Sequence, residues 1–449
     1  MTDLPLTPFE EYLFTDDVPA YPINCHIRFR FRGRFDRTAL EAAMRRMLAL
    51  HPFLHSGVRE VAPNDLRWFP FPEEQWPTIR WSTGMGNTFP PGRKFNLLQE
   101  PGIRFYVIEG PDGVSDLFVE FHHALSDGIG IFGAMEDLFD AYQGNSVKRI
   151  DPGRLTQRNP KLPPLWSFHC GLPWWCRAAA RLARLVAFRP VAFLRFLHGT
   201  RTLFIPKFHD PEPTSPFPAM VMDSFNPEET WQLRQTATEN GATLYEWMLT
   251  AYYRSIDTWI RELGFFTKNR CLRIAVPISL RTPADASLAA ANVVSMVFID
   301  RFRSELSDKR RLLRGIHREM THLKRHRMGY LLLLVLKVVK RFQKNFRWAV
   351  EKRSWASTVF THLGKLYDET RLPLRNGKVV LGNAENELLL EEIHATPPIR
   401  PWYVAVLGSG MYAGSLSIAI HYDAAAIARE HAELLLKRFM EELTAEPQS

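Results

Sequence analysis

Apolar positions recur along this chain with two periods, and a change of period marks the end of an element. Cys25 to Phe31 (CHIRFRF) alternates apolar and polar residues, which predicts a strand with one buried face. Leu40 to Leu50 (LEAAMRRMLAL) repeats at helical spacing. Asp36 or Thr38 is available as its cap, and His51-Pro52 predicts its end. Ile103 to Glu109 and Leu117 to Phe121 are strand-like, and Pro111-Asp112-Gly113 between them predicts a hairpin turn. The second of these strands runs into His122-His123, and Ile129 to Tyr142 resumes the helical period.

Pro152 to Pro218 interrupts the pattern. Rich in Pro and Arg, it predicts a crossover linker holding one helix near Trp174 to Ala187. Pro227 to Leu263 is helical in pattern, and Leu272 to Pro277 and Val293 to Ile299 are strand-like. Asp308 to Arg353 reads as mostly helical and basic. Val406 to Ile420 is β-rich with glycines, and Ala424 to Leu443 predicts a closing helix. Helices and strands mix without strict βαβ alternation, so the expected fold class is mixed α/β (α+β). A chain of 449 residues is too long for one ordinary core. The expected division is an N-terminal lobe over 1–155, a basic linker over 156–214 and a C-terminal lobe over 215–449.

Composition excludes disorder: 46% of residues are hydrophobic and 23% charged. The 31 Phe and 12 Trp fit large cores or an apolar ligand channel equally well. Cys25, Cys170, Cys176 and Cys271 show neither zinc-ribbon nor C-x-x-C spacing, so no metal site and no redox dithiol are expected. Cys170 and Cys176 could pair, but free thiols are the expectation. Met1 to Asp17 carries acids and no long apolar run, and no uncharged apolar stretch reaches spanning length; a cytoplasmic location is the default expectation.

The net charge of +9 is unevenly placed. Arg154 to Lys207 holds ten Lys/Arg and no acid, and Lys309 to Arg353 holds fifteen against Glu319 and Glu351; the remainder is acidic. Arg177, Arg181 and Arg184 share one face of a helical wheel. Lys337, Lys340, Arg341 and Lys344 recur at i, i+3, i+4 and i+7 after the apolar run Tyr330 to Leu336. Such segments can pack on the protein and line an internal tunnel. They can bind the phosphates of coenzyme A or an acidic carrier protein. They can also lie on an anionic membrane, through 171–200 and 309–353. Weak peripheral membrane association and a lipid-like substrate are the expectation carried forward. No nucleic-acid module accompanies the charge, so nucleic acid is not an expected partner. His317, His322 and His326 lie on the same basic stretch, lack the Glu of a zincin motif and read as surface residues.

The chemistry is concentrated in His122-His123-Ala124-Leu125-Ser126-Asp127-Gly128, between a strand and a helix. A hydroxyl attacks a thioester poorly, and an imidazole within reach can take its proton during attack. Neighbouring side chains on an extended chain diverge, so one histidine of the pair enters the site. Asp127 can turn back to hold the loop, and Gly128 is expected to supply a backbone angle other residues resist.

These residues resemble the signature His-His-x-x-x-Asp-Gly of the superfamily of chloramphenicol acetyltransferases, peptide condensation domains, plant-type and alcohol acyltransferases and wax ester synthases. The resemblance extends to Leu6-Thr7-Pro8-Phe9-Glu10, Gly33, Ala42 to Pro52, Val276 to Arg281, Asn292 and Gly414 to Asp423. Thr361-His362-Leu363-Gly364 departs from the usual Ser-Asn-x-Gly, and the Asp-Phe-Gly-Trp-Gly motif of the plant branch is absent. The resemblance implies two chloramphenicol acetyltransferase-like lobes around a central tunnel, with His123 as base and Asp127 structural. It nominates Arg281 as the partner of Asp127, with Arg28 and Arg30 as alternatives, and Asn292 as holding the second-lobe loop. His122 and Gly128 complete the structural set. The implied co-substrate is acyl-coenzyme A or a carrier-bound thioester, with no bound cofactor, and an acyl carrier protein is a candidate partner. The expected activity is acyl transfer to a hydroxyl or amine of a hydrophobic acceptor. A stand-alone peptide-condensation enzyme and a non-catalytic relative are the alternatives. His122-x-x-x-x-Asp127 also fits the dyad of glycerolipid acyltransferases, but their Pro-Glu-Gly block is missing.

Overall fold

Helix starts follow the local chemistry. Thr7 and Glu10 cap each other reciprocally, at 2.8 and 3.3 Å, and open α1 (Pro8–Asp16). Asp36, rather than Thr38, accepts from the Ala39 N–H and caps α2 (Arg37–Leu50), which ends before His51-Pro52. Asp127 caps α3 (Gly128–Tyr142). Pro227 to Leu263 is two helices, α4 (Pro227–Glu239) and α5 (Leu244–Glu262), because Asn240 to Thr243 turns the chain and Thr243 caps anew. The basic stretch is likewise broken, into α6 (Lys309–Arg325) and α7 (Tyr330–Lys340), with Arg327 in the left-handed region at φ 50°. The closing helix α8 (Arg429–Thr444) begins five residues later than the apolar pattern suggests.

The protein is described from a computed structural model, for residues 3–84, 86, 89–145, 150–158, 217–264, 271–340, 355–382, 386–400 and 402–446. The expected helix at 174–187, the pair Cys170 and Cys176, most of the 156–214 linker, and Arg341 and Lys344 lie outside these residues.

The strands are β1 (Leu4–Pro5), β2 (Asn24–Arg32), β3 (Ser56–Ala62), β4 (Asp65–Pro70), β5 (Ile79–Thr83), β6 (Ile103–Glu109), β7 (Val114–His122), β8 (Met220–Phe225), β9 (Cys271–Ser279), β10 (Val294–Phe302), β11 (Thr358–Leu366), β12 (Leu374–Arg375), β13 (Lys378–Leu381), β14 (Leu388–Thr396), β15 (Ala405–Tyr412) and β16 (Ser415–Tyr422). A seven-stranded sheet runs β12-β13-β14-β2-β7-β6-β5, a six-stranded sheet β10-β9-β11-β15-β16-β8, and a small sheet β1-β4-β3. The expected hairpin is β6–β7, antiparallel from Ile103↔Phe121 to Glu109↔Ser115, with Gly113 at φ 68° in its turn.

Each large sheet has its own core. Ile27, Phe29 and Phe31 of β2, with Leu117, Val119 and Phe121 of β7, pack with Met44 and Met47 of α2 and Leu138 and Phe139 of α3. Trp247, Tyr252 and Ile256 of α5 pack with Ile274, Leu407, Ile418 and Phe439 in the second. The expected lobe over 215–449 is not contiguous in space. β14 pairs with β2, Leu389↔Arg32 through Thr396↔His26, so β12, β13 and β14 extend the first sheet.

Candidate active site

β7 ends at His122, and the chain turns back at once, with Leu125 N–H bonded to the His122 carbonyl at 3.0 Å. His122 is fully buried. Its Nδ1 accepts from the Ala124 N–H at 3.0 Å, so its ring proton is on Nε2, 3.5 Å from Asp17 Oδ2. Burial alone would raise the Asp17 pKa. The His122 ring, the Ile23 N–H at 3.0 Å and Lys94 at 3.2 Å outweigh it and hold Asp17 below the usual carboxylate range. His122 thus points away from any reacting atom.

His123 is held differently. Its backbone N–H donates to the Ile23 carbonyl at 2.8 Å. Its Nδ1 lies 3.0 Å from the Ser126 carbonyl, which can only accept, so Nδ1 carries the proton. The Nε2 lone pair is left for the cavity that His123 lines. Burial pulls the His123 pKa below its ordinary value, with the Ser126 carbonyl and Asp127 opposing. A neutral imidazole with a fixed tautomer is the state a general base requires.

Asp127 has both oxygens engaged. Oδ1 accepts from the Gly130 N–H at 2.7 Å and from Arg281 Nη2 at 3.0 Å; Oδ2 accepts from the Val293 N–H at 2.8 Å. Arg281 also donates to the Ala291 carbonyl at 2.9 Å. Arg28 and Arg30 instead face Asp116, at 2.7 and 3.8 Å. Asn292 donates to the carbonyls of His123 and Ala124, at 2.6 and 2.8 Å, so it holds the first-lobe loop rather than its own. Gly128 does not supply an unusual backbone angle: it is the first residue of α3 and absent from the positive-φ set. What it supplies is space, since a Cβ there would lie 2.5 Å from Leu363 Cδ2. Gly130 is tighter still, with Ser126 Oγ at 2.4 Å and Arg281 Nη2 at 2.9 Å from its would-be Cβ.

The cavity encloses about 180 Å³ between the lobes. Phe9, Leu13 and Ile23 line it from one side with His123, and Pro277, Met296, Thr361, His362 and Leu363 from the other. It is largely apolar, with two imidazoles, and Asp127, Ser279 and Arg400 also reach it.

The basic segments are only partly what the sequence suggested. The apolar side of α6 is spent in the second core, through Leu312, Leu313, Ile316, Met320 and Leu323, while Arg310, Arg311, Arg314, Arg318, Lys324 and Arg325 are exposed. On α7, Leu332 and Leu336 are buried, but Leu331, Leu334 and Val335 are half-buried and Val338 is exposed. Lys340 is tied to Glu11. No helix among the described residues is long and apolar enough to cross a membrane.

Sequence reasoning missed Asp17, Lys94, Gly130 and Ser409. The Gly128-Ile129-Gly130 spacing was the one available signal; the others reach the site by tertiary contact.

No protein-family model matches this chain, and no curated protein does. Solved structures do. The first condensation domain of the calcium-dependent antibiotic synthetase, in complex with a substrate analogue, superposes with a TM-score of 0.68 at 14% identity, covering 100% of this chain and 97% of that one. The condensation domain of the monacolin K polyketide synthase MokA gives 0.64 at 15% identity, covering 99% and 97%. The starter condensation domain of rhizomide synthetase RzmA, a point mutant in complex with C8-CoA, gives 0.65 at 14% identity, covering 100% and 96%. Two α/β lobes closing on a shared cavity, matched over full length on both sides, give this chain the condensation-domain fold.

Proposed function

We propose that this protein is an acyltransferase that moves an acyl group from a thioester to a hydroxyl or amine, with His123 Nε2 as general base. The observation that carries the reading is the Nδ1–H···O=C contact to Ser126, which leaves a neutral Nε2 at the wall of an interlobe cavity. Nε2 takes the acceptor's proton as its oxygen or nitrogen adds to the thioester carbonyl. The C–S bond then breaks, and the imidazolium returns the proton to the departing thiolate, so no charge accumulates over the cycle. Asp127, with both oxygens occupied, positions the loop and takes no part in proton transfer.

The donor class follows from the thioester chemistry and from the C8-CoA complex of a structural neighbour: an acyl-coenzyme A or carrier-bound acyl thioester. The apolar lining favours a hydrophobic acceptor. The same fold also serves peptide condensation, and an amine acceptor on a carrier is the second reading. Incubation with a panel of acyl-coenzyme A donors and carrier-bound thioesters, against alcohols and amines, should release free thiol. His123→Ala should abolish release while the protein stays folded. No release with any donor would leave a binding protein instead.

A further inference from the structure

His362 is the position where the chain departs from Ser-Asn-x-Gly, and it stands on the cavity wall. β11 runs parallel to β15 with His362 directly opposite Ser409; the register then slips before Lys365↔Met411. Gly364, at φ 74°, makes the slip possible. The bulge presses Leu363 against Gly128, so residues 361–364 face the loop that carries His123.

The ring of His362 is fixed from behind. Ser409 Oγ lies 3.0 Å from His362 Nδ1 and 3.2 Å from the Thr361 carbonyl. A hydroxyl has one proton, and the carbonyl can only accept. The arrangement that uses both contacts has Ser409 donating to Thr361 and His362 Nδ1–H donating to Ser409. Nε2 then holds a lone pair, without a hydrogen-bond partner among the described residues. Burial pulls the His362 pKa down to about 4, so the ring stays neutral.

Resting on the acyltransferase reading, we propose that the acceptor is bifunctional. One of its O–H or N–H groups is deprotonated by His123, and a second donates a hydrogen bond to His362 Nε2. The other polar groups at this largely apolar wall are already engaged, Asp127 by Gly130, Val293 and Arg281, and Arg400 by Asp16. The two neutral imidazole acceptors therefore select a long-chain diol or amino alcohol over a simple alcohol, because a simple alcohol that displaces water from the cavity leaves His362 Nε2 without a hydrogen bond.

The test is equilibrium binding, independent of turnover. 1,2-Decanediol and 1-decanol are titrated into the full chain by calorimetry, for the native protein, His362→Phe and Ser409→Ala. The native protein should bind the diol about tenfold more tightly, as one additional hydrogen bond made inside the cavity predicts. His362→Phe should erase the preference. Ser409→Ala, which frees the ring without removing it, should reduce the preference. Equal affinity of the native protein for both ligands, no binding of either, or a preference retained in His362→Phe overturns the proposal. A diol preference in a protein that releases no thiol from any donor would overturn acyl transfer instead, and leave the His362 contact standing.

Discussion

Asn292, on the loop that joins β9 to β10, donates to the backbone carbonyl of His123, just past the end of β7, at 2.6 Å. The same amide reaches the Ala124 carbonyl at 2.8 Å. The proposed general base is thereby placed by a residue far along the chain, and its angle to the cavity depends on how that loop docks. Asn292 does not line the cavity. Asn292→Asp keeps the shape, removes both donors and sets a carboxylate against two carbonyls. The turnover number for thiol release should fall on the order of 10²-fold with KM little changed, as expected when a reacting group is displaced without loss of substrate contacts. An equal rise in KM would show that Asn292 shapes the binding site instead.

Asp127 is nearly buried and receives three hydrogen bonds through two oxygens. In Asp127→Asn one of those oxygens becomes an NH2 facing a donor, and Arg281 loses its counter-charge. Urea melts should show a loss of about 2–4 kcal/mol. Adding Arg281→Met should recover part of it, since the uncompensated half-buried guanidinium is then gone. A double variant as unstable as the sum of the two singles would show that the pair is not coupled.

What was legible in the sequence was local. The β6–β7 hairpin follows from Pro111-Asp112-Gly113, and α2 from its period and the His51-Pro52 stop. What was hidden was long-range. Nothing in Leu388 to Thr396 announces pairing with β2 rather than with neighbouring β15, because strand edges carry no address; register is set by which faces the two sheets must bury. The basic stretch reads as one helix because its charge runs on through residues 326–329, where Arg327 and the contact of Gly329 with Leu280 turn the chain. Asp17 reaches His122 by a contact between elements far apart in sequence, which one-dimensional spacing does not record.

The His123 pKa is lowered by burial. A base must be unprotonated, so kcat/KM for thiol release should be flat near neutrality and fall only in acid, with its midpoint below the ordinary imidazole value of about 6.5. A midpoint at or above pH 7 would assign the base elsewhere.

The outer side of α7 presents Leu331, Leu334, Val335 and Val338 at i, i+3, i+4 and i+7, with exposed Lys337 beside them and the exposed cations of α6 before them. An apolar stripe bordered by cations suits an anionic lipid surface. In vesicle flotation at low salt, binding to anionic but not to zwitterionic vesicles is expected, weakened by high salt. Leu334→Glu should lower it several-fold. Indifference to that substitution would leave surface charge alone as the cause.

His26 of β2 and His421 of β16 meet edge to face, ring centroids 6.2 Å apart, between the two sheets. Burial lowers the pKa of both, His421 to about 4, and likewise that of His394, also to about 4. All three are neutral in the folded protein, whereas in the unfolded chain each titrates near 6.5. Below that value the unfolded state binds protons that the folded state refuses. The stability these groups contribute is therefore complete above pH 6.5 and declines as pH falls toward about 4, by at most about 1.4 kcal/mol per pH unit for each histidine. His421→Gln can still donate to the Pro397 carbonyl that His421 Nδ1 approaches at 3.1 Å, but it cannot be protonated. Chemical denaturation at pH 7.5, 6.0 and 5.0 should give a shallower decline for this variant than for the native protein. Parallel declines would mean that the interlobe imidazoles do not set the acid limit of the fold.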